Sequence, residues 1–405
     1  MGLFENFREI MPYKSVYLNP QKEESLRRFH PWVFSGAIHH ADGILEEGDI
    51  VDVYDSHNNY IATGHCQIGT IAVRVLTFHQ ETIDFEFWKK RFETALLLRR
   101  QLRLVDNPNT TVYRLIHGEG DNMPGLIVDI YGNTAVMQAH TPGMHVARYE
   151  LAAALKELSG NFIQNIYYKS EGTLPYKAEL DAENGYLYGG TDIPEFVLEN
   201  GLKFHVDWVK GQKTGFFVDQ RNNRELLEKY AANRKILNLF CYTGGFSAYA
   251  IRGKAQWVHS VDSSSKAIDL AKANMNLNFP DYNLHQAFVE DAFRYLEKTN
   301  QTYDLIILDP PAFAKHRKTL KNALQGYKKL NALAFEKIQP QGIIFTFSCS
   351  QVVSKEEFRL AVFSAAAQSK RNIKILHQLT QQCDHPISIY HPEGEYIKGL
   401  VLSIE

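Results

Sequence analysis

The chain of 405 residues is too long for one ordinary domain and suits two or three, each able to bury its own core. With 44% hydrophobic and 22% charged residues it has the balance of a soluble globular protein, and a net charge of -2 gives by itself no sign of nucleic acid. No apolar run approaches the roughly 18 residues that a membrane span requires.

The opening MGLFENFREI carries charges where a secretory leader would be apolar, and Asn6 stands where myristoylation needs Ser or Thr, so a cytoplasmic protein is expected. Residues 1–80 read as short strands with turn signals, such as GDIVDVYDSHNNYIATGHCQ and IAVRVLTF, punctuated by Asp49, His57-Asn58-Asn59 and Gly64. They predict a small β-barrel. Within it Arg27, Arg28, His30 and Trp32 mix charge with an aromatic ring as an RNA surface would, although Trp32 has an alternative reading as core.

A helix is predicted over DFEFWKKRFETALLLRRQL, with Phe85, Trp88, Phe92 and Leu96 forming a packing stripe and Lys89, Lys90, Arg91, Arg99 and Arg100 largely elsewhere. From Val112 strands return, a helix covers about His145 to Leu158, and further strands run to His205. Residues 81–205 are therefore expected to form an α+β middle domain. Residues 206–405 change rhythm to strand, glycine turn, helix, strand, through KILNLF, CYTGG, QWVHSVD, SSSKAIDLAKANMNLN, DLIILDPP and GIIFTFS. The alternation predicts an α/β domain with a doubly wound parallel sheet.

In such a sheet ligands bind at the carboxyl ends of the strands, so Asp309, ending one strand, and Cys349, ending the next, are expected to face one pocket. The turn Thr243-Gly244-Gly245 can cradle a ligand against a helix N-terminus, or be a tight turn and nothing more. It lacks the dinucleotide G-x-G-x-x-G. Asp262 stands where an acid commonly binds a ribose diol, with helix capping beside Ser263-Ser264-Ser265 as the alternative. Asp291 ends a third strand, where an acid can accept the amino hydrogens of adenine. Lys213 to Arg221, KTGFFVDQR, reads either as a turn onto a core or as an aromatic lid. No acidic residue lies between Asp309 and Glu336, while Lys315, His316, Arg317, Lys318, Lys321, Lys328 and Lys329 accumulate; this is a solvated helix face or a basic lip for phosphates. The four cysteines, Cys66, Cys241, Cys349 and Cys383, and the 16 histidines are scattered, so neither a disulfide framework nor a metal site is expected.

Taken together, GQKTGFFVDQRNNR, LNLFCYTGGFSAYA, VDSSSKAIDLAKAN, LDPPAFAK, FSCS and HPEGEYIKGL resemble the RlmI-type family of S-adenosylmethionine-dependent ribosomal RNA large-subunit methyltransferases, and RFHPWVFSGAI resembles the opening of that family's RNA-binding PUA barrel. The resemblance implies a Rossmann-like class I methyltransferase domain that forms 5-methylcytosine in 23S rRNA, and it is compatible with a homodimer. It implies a cofactor site of Thr214, Gly215, Phe217, Asp219, Arg221, Phe240, Thr243, Gly244, Gly245, Asp262, Ser263, Asp291, Ala292 and Pro310, and RNA contacts from the barrel residues and from Lys315, Arg317 and Lys318.

Carbon 5 of cytosine is a poor nucleophile, and adding a thiolate to carbon 6 makes it an enamine able to take a methyl group. Cys349, flanked by Ser348 and Ser350 beside the Asp-Pro-Pro segment, is the expected nucleophile, against the general tendency of cysteines to be inert packing; Cys241 reads as structural. Asp309, directed by Pro310 and Pro311, is expected to hold the base near N3 or its amino group. Pro311-Ala312 stands where many RNA cytosine methyltransferases have a second cysteine, so Cys349 must attack and be released without that helper. Two other readings compete: N-methylation of a purine, which Asp-Pro-Pro also suits, and a non-catalytic RNA-binding factor.

Overall fold

The computed structural model describes residues 13–405 apart from 176, 177, 179, 181 and 182; the opening segment read above for a leader lies outside the described residues. The chain forms two compact units, one built from residues up to Asn107, Thr111–Pro194 and Asp384–Gly394, the other from Pro108–Thr110, Glu195–Cys383 and Glu395–Glu405.

The first unit contains a six-stranded sheet in the spatial order Trp32–Phe34, Ile71–Thr77, Tyr60–Cys66, Ile50–Tyr54, Lys14–Leu18, Ile38–Ala41. Its core is Val16, Val33, Val51, Val53, Ala62, Val73 and Val75, branched residues that suit a pleated face. The turn at His57-Asn58-Asn59 is held by Asp55, whose carboxylate accepts the N–H groups of His57 and Asn59 at 2.8 and 2.9 Å, with Asn58 at φ +61°. A second sheet of five strands runs from Gly185–Tyr188 through Asn165–Tyr168, Thr134–Ala139 and Leu126–Tyr131 to Val112–His117. The helix Phe85–Gln101, capped by Asp84, buries Trp88, Phe92 and Leu96 as its spacing predicts. Arg99, on the same helix, is also fully buried: it pairs with Asp121 and donates to the carbonyls of Arg114 at 2.8 Å and Asp384 at 2.7 Å. The Asp384 carboxylate accepts the Arg114 N–H at 3.0 Å, so residues 384–394 are tied into this unit by buried polar contacts.

The second unit contains one seven-stranded sheet. Its strands are β1 (Lys235–Leu239), β2 (Trp257–Asp262), β3 (His285–Val289), β4 (Tyr303–Leu308), β5 (Ile338–Ser348), β6 (Ile373–Leu379) and β7 (Lys398–Ile404). The order is β3-β2-β1-β4-β5-β7-β6, with only β7 antiparallel to its neighbours. β1 and β4 are buried along Ile236–Leu239 and Leu305–Leu308, as strands covered on both faces must be. The flanking helices are α1 (Arg221–Glu228), α2 (Gly245–Arg252), α3 (Ser265–Asn278), α4 (Ala292–Lys298), α5 (Leu320–Lys337) and α6 (Lys355–Ser369). Among the described residues no helix is long and apolar enough to cross a membrane, and no group of three or more His, Cys, Asp or Glu side chains could hold a metal ion.

Candidate active site

The carboxyl ends of β1, β2, β4 and β5 open into one cavity. The turn leaving β1 is strained, with Phe240 at φ +57°, Tyr242 at +46° and Gly244 at +79°. Bulky residues rarely adopt this left-handed region, and such strain concentrates where a ligand dictates the backbone. Asp262, ending β2, braces the turn: its carboxylate accepts the Tyr242 N–H at 3.0 Å and the Ser264 N–H at 2.9 Å. It does not cap α3, because Ser264 does, accepting the Ala267 N–H. Each carboxylate oxygen of Asp262 keeps a further lone pair for hydroxyl donors in the cavity it lines.

The segment before α1 forms another wall. Gly215 sits at φ +120°, where a Cβ would lie 2.8 Å from Val206 Cγ1, and its carbonyl accepts the Tyr242 hydroxyl at 3.1 Å. The Phe217 ring meets Tyr242 edge-on at 5.1 Å, with the Lys213 ammonium 4.9 Å from its centroid. Arg224 fixes this wall from behind: it pairs with buried Glu199 at 2.8 and 2.6 Å and donates to the Phe217 carbonyl at 3.0 Å. Tyr249 adds a hydroxyl to Glu199 at 3.0 Å, giving the buried ion pair the extra hydrogen bond that offsets its desolvation.

Asp309 and Cys349 line the same cavity. Burial and the Asp219 carboxylate push the Asp309 carboxyl up to about 7, against Arg224, Lys213 and the amide of Gln220. The Cys349 thiol is half-buried and donates to the Pro310 carbonyl at 3.7 Å, so the sulfur lies against the residue that follows Asp309. Burial pushes this thiol up to about 11, with Lys213 opposing and the Asp309 and Asp219 carboxylates adding. The flanking serines are fully buried, Ser348 donating to the Tyr327 hydroxyl at 2.9 Å and Ser350 to the Ala314 carbonyl, so the turn presents only the cysteine. Cys241 is buried in the β1 turn, which drives its thiol pKa upward, and it donates weakly to the Tyr242 carbonyl at 3.8 Å.

Of the cofactor residues expected from the sequence, Phe217, Asp219, Phe240, Thr243, Gly245, Asp262, Ser263 and Pro310 line the cavity. The others do not line it. Thr214 is buried, Gly215 and Gly244 shape the turns, and Ala292 is buried at the start of α4. Arg221 is buried toward Glu199, 3.7 Å from its carboxylate. Asp291 is exposed and caps α4, accepting the Arg294 N–H at 3.0 Å. Sequence reasoning missed Lys213, Gln220, Tyr242 and Phe246, all in the lining, and Arg224 as a cavity residue. The signal for Lys213 and Gln220 was present in KTGFFVDQR, where they stand beside the residues chosen.

A family model described as S-adenosylmethionine-dependent methyltransferase matches residues 172–385, and one for a PUA-like domain matches residues 16–78. The ribosomal RNA large subunit methyltransferase I of Tolumonas auensis is 40% identical over 395 residues, covering 96% of this chain and 98% of the relative. That of Alteromonas mediterranea is 38% identical over 394 residues, with the same coverage. The chain belongs to the ribosomal RNA large subunit methyltransferase I family. A solved S-adenosylmethionine-dependent methyltransferase fold from Streptococcus mutans superposes with a TM-score of 0.82 at 24% identity, covering 96% of this chain and 99% of its own. A second solved chain with the same figures is complexed with SAH. The seven-stranded sheet is thus the class I methyltransferase sheet, and the six-stranded one is the PUA-like barrel.

The cavity suits this family's cofactor, S-adenosylmethionine. A nucleoside finds aromatic rings and the braced Asp262 acceptor, and a sulfonium cation finds the carboxylates of Asp219 and Asp309. A Cβ on Gly245 would come within 3.1 Å of Arg224 Cδ, so the backbone is bare where the helix begins.

The residues expected to touch RNA are distributed differently. Arg27 pairs with Asp55 at 2.7 Å and Arg28 with Glu24. Trp32 is half-buried, donates to Glu119 at 2.8 Å, and lies 4.4 Å from the His391 ring and 5.1 Å from the Arg74 guanidinium. His30 accepts the Trp32 N–H at 3.3 Å and reaches Glu393 at 3.5 Å. Lys315, Arg317 and Lys318 are exposed, and among the described residues no carboxylate pairs with them.

Proposed function

We propose that this methyltransferase acts on carbon 5 of a cytosine in 23S ribosomal RNA, with Cys349 forming a transient bond to carbon 6. The observation that carries the reading is the convergence of Cys349 and Asp309 on one cavity, with the thiol against the Pro310 carbonyl. The substrate class rests on the relatives' names and on the exposed basic segment at Lys315, Arg317 and Lys318. In this reading residues 1–80 and that segment grip the RNA, and residues 206–405 carry the transfer.

S-adenosylmethionine, held by Asp262, Phe217, Phe240 and the Thr243–Gly245 turn, supplies an electrophilic methyl group when bound. The rest falls to the chain. The Cys349 sulfur, once deprotonated, adds its electron pair to carbon 6, and charge builds on N3 and the ring. Asp309, poised near 7, spends part of its time protonated at neutral pH and so can donate to N3 as that charge develops. After methylation the carbon 5 proton passes to water, its electron pair re-forms the carbon 5–carbon 6 double bond, and the carbon–sulfur bond breaks with its pair returning to Cys349.

The test is Cys349→Ala assayed for methyl transfer to 23S rRNA, with cofactor binding measured by calorimetry and the product base identified by mass spectrometry. Loss of transfer with intact cofactor binding is expected. Retained transfer, or a methyl group found on a purine nitrogen, would overturn the cytosine reading.

A further inference from the structure

β7 runs antiparallel to β5, so Lys398, its first residue, stands opposite Ser348, next to Cys349. Ile397 lines the cavity, while Lys398 is only 5% exposed. The Lys398 ammonium donates to the Ser350 carbonyl at 2.6 Å and so holds the turn immediately beyond Cys349. Among the described residues no carboxylate lies within ion-pair distance of it; Glu395, nearby in sequence, is paired with Lys355 at 2.6 Å. A buried ammonium served by a carbonyl alone is a charge without a counter-charge.

We infer that Lys398 anchors the turn that carries Cys349 and, together with Lys213, supplies positive charge beside its thiolate. This rests on the reading of Cys349 as the attacking group. Lys398 acts through Cys349 and does not line the cavity, which makes it a positioning residue. The groups around the thiol are Asp309 and Asp219, which oppose a thiolate, and Lys213, which favours one; around Lys398 they are Glu395 and Lys355. Burial lowers Lys398 only to about 8, so it remains mainly an ammonium at neutral pH, and raises the thiol to about 11, so the sulfur is mainly protonated. Each charge offsets the burial of the other. Ionisation breaks the S–H bond and leaves the electron pair on sulfur; the proton goes to water or, where Lys398 is neutral, to its amine.

The test is the pH dependence of iodoacetamide alkylation at Cys349, read by peptide mass spectrometry on the full chain carrying Cys383→Ser to remove the exposed thiol. No RNA is present, so a failure here is separate from a failure of the cytosine reading. Lys398→Met should slow alkylation at about pH 7.5 by about tenfold, the equivalent of one unit in the thiol pKa, and Lys398→Arg should restore most of it. An unchanged profile in a Lys398→Met protein that still binds S-adenosylmethionine overturns the inference. If Lys398→Met does not fold, Lys398→Gln, which keeps a donor for the Ser350 carbonyl and removes the charge, is measured in the same way, and an unchanged profile there overturns the inference.

Discussion

Gln220 donates its side-chain amide to both carboxylate oxygens of Asp309, at 3.1 and 3.2 Å. Asn223 donates to the Gln220 carbonyl oxygen at 2.6 Å, which settles which end of that amide faces Asp309. Hydrogen bonds to a carboxylate favour its charged form. Gln220→Ala should therefore raise the apparent pKa of Asp309 further and, because the protonated acid is the donor to N3, move the alkaline limb of the pH–rate profile upward by about half a unit to one unit. Superimposable profiles would mean that the Gln220 contact does not set the limb.

Asp309→Asn should stabilise the protein in alkali while harming activity. The folded pKa of about 7 lies above the ordinary 3.8, so the proton bound by the folded state stabilises it fully below the lower value, and that contribution is lost as pH rises through the higher one. Replacing the acid removes a cost of about 2 kcal/mol near pH 8, after discounting for water that reaches the half-buried side chain, and almost nothing near pH 4. Thermal unfolding at the two pH values checks this: a Tm gain of the same size at both would be inconsistent with ionisation as the cause.

Gly244→Ala should weaken cofactor binding. At φ +79° an alanine is strained, and its Cβ would lie 3.1 Å from that of Ala271. The strain, about 1–2 kcal/mol, falls on the turn that carries Phe240 and Thr243, so affinity for S-adenosylmethionine should drop about tenfold by calorimetry. Gly36→Ala, where the new methyl meets open space, is the matched control and should leave affinity unchanged.

Neutralising Lys315, Arg317 and Lys318 together should weaken RNA binding without altering cofactor binding. If each meets a phosphate, the slope of log affinity against log salt becomes shallower by about 2 to 3. A uniform loss of affinity with the slope preserved would assign these side chains to another role.

That Asp309 and Cys349 line one cavity was legible because buried parallel strands read as unbroken apolar runs and each residue stands just past one. Asp291 is ambiguous for a physical reason: an acid after a strand serves as a ligand acceptor or as a helix cap, since both uses place a carboxylate beside free amides, and the structure shows the cap. The place of Arg224 in the cavity lining was not legible. Both are buried against Glu199, and it is Arg224 that lines the cavity; that geometry depends on a partner from the separate hairpin of Val197–Glu199 and Leu202–Phe204, which local patterning does not reveal. Trp32 was read both as RNA surface and as core; its hydrogen bond goes to Glu119, across 87 residues of chain, a contact that only folding brings about.

The inclusion of Asp384–Gly394 in the first compact unit has a consequence for biosynthesis. On a ribosome adding about 5–20 residues per second, roughly 190 residues separate the emergence of Pro194 from that of Asp384, a wait of about 10–40 s. During that interval Arg99 lacks the Asp384 carbonyl and the Arg114 N–H lacks its carboxylate, so the first unit is completed by a segment that is made after most of the second. The barrel's unit therefore stays unfinished while nearly all of the second unit is made, and a premature stop before Asp384 would damage both units.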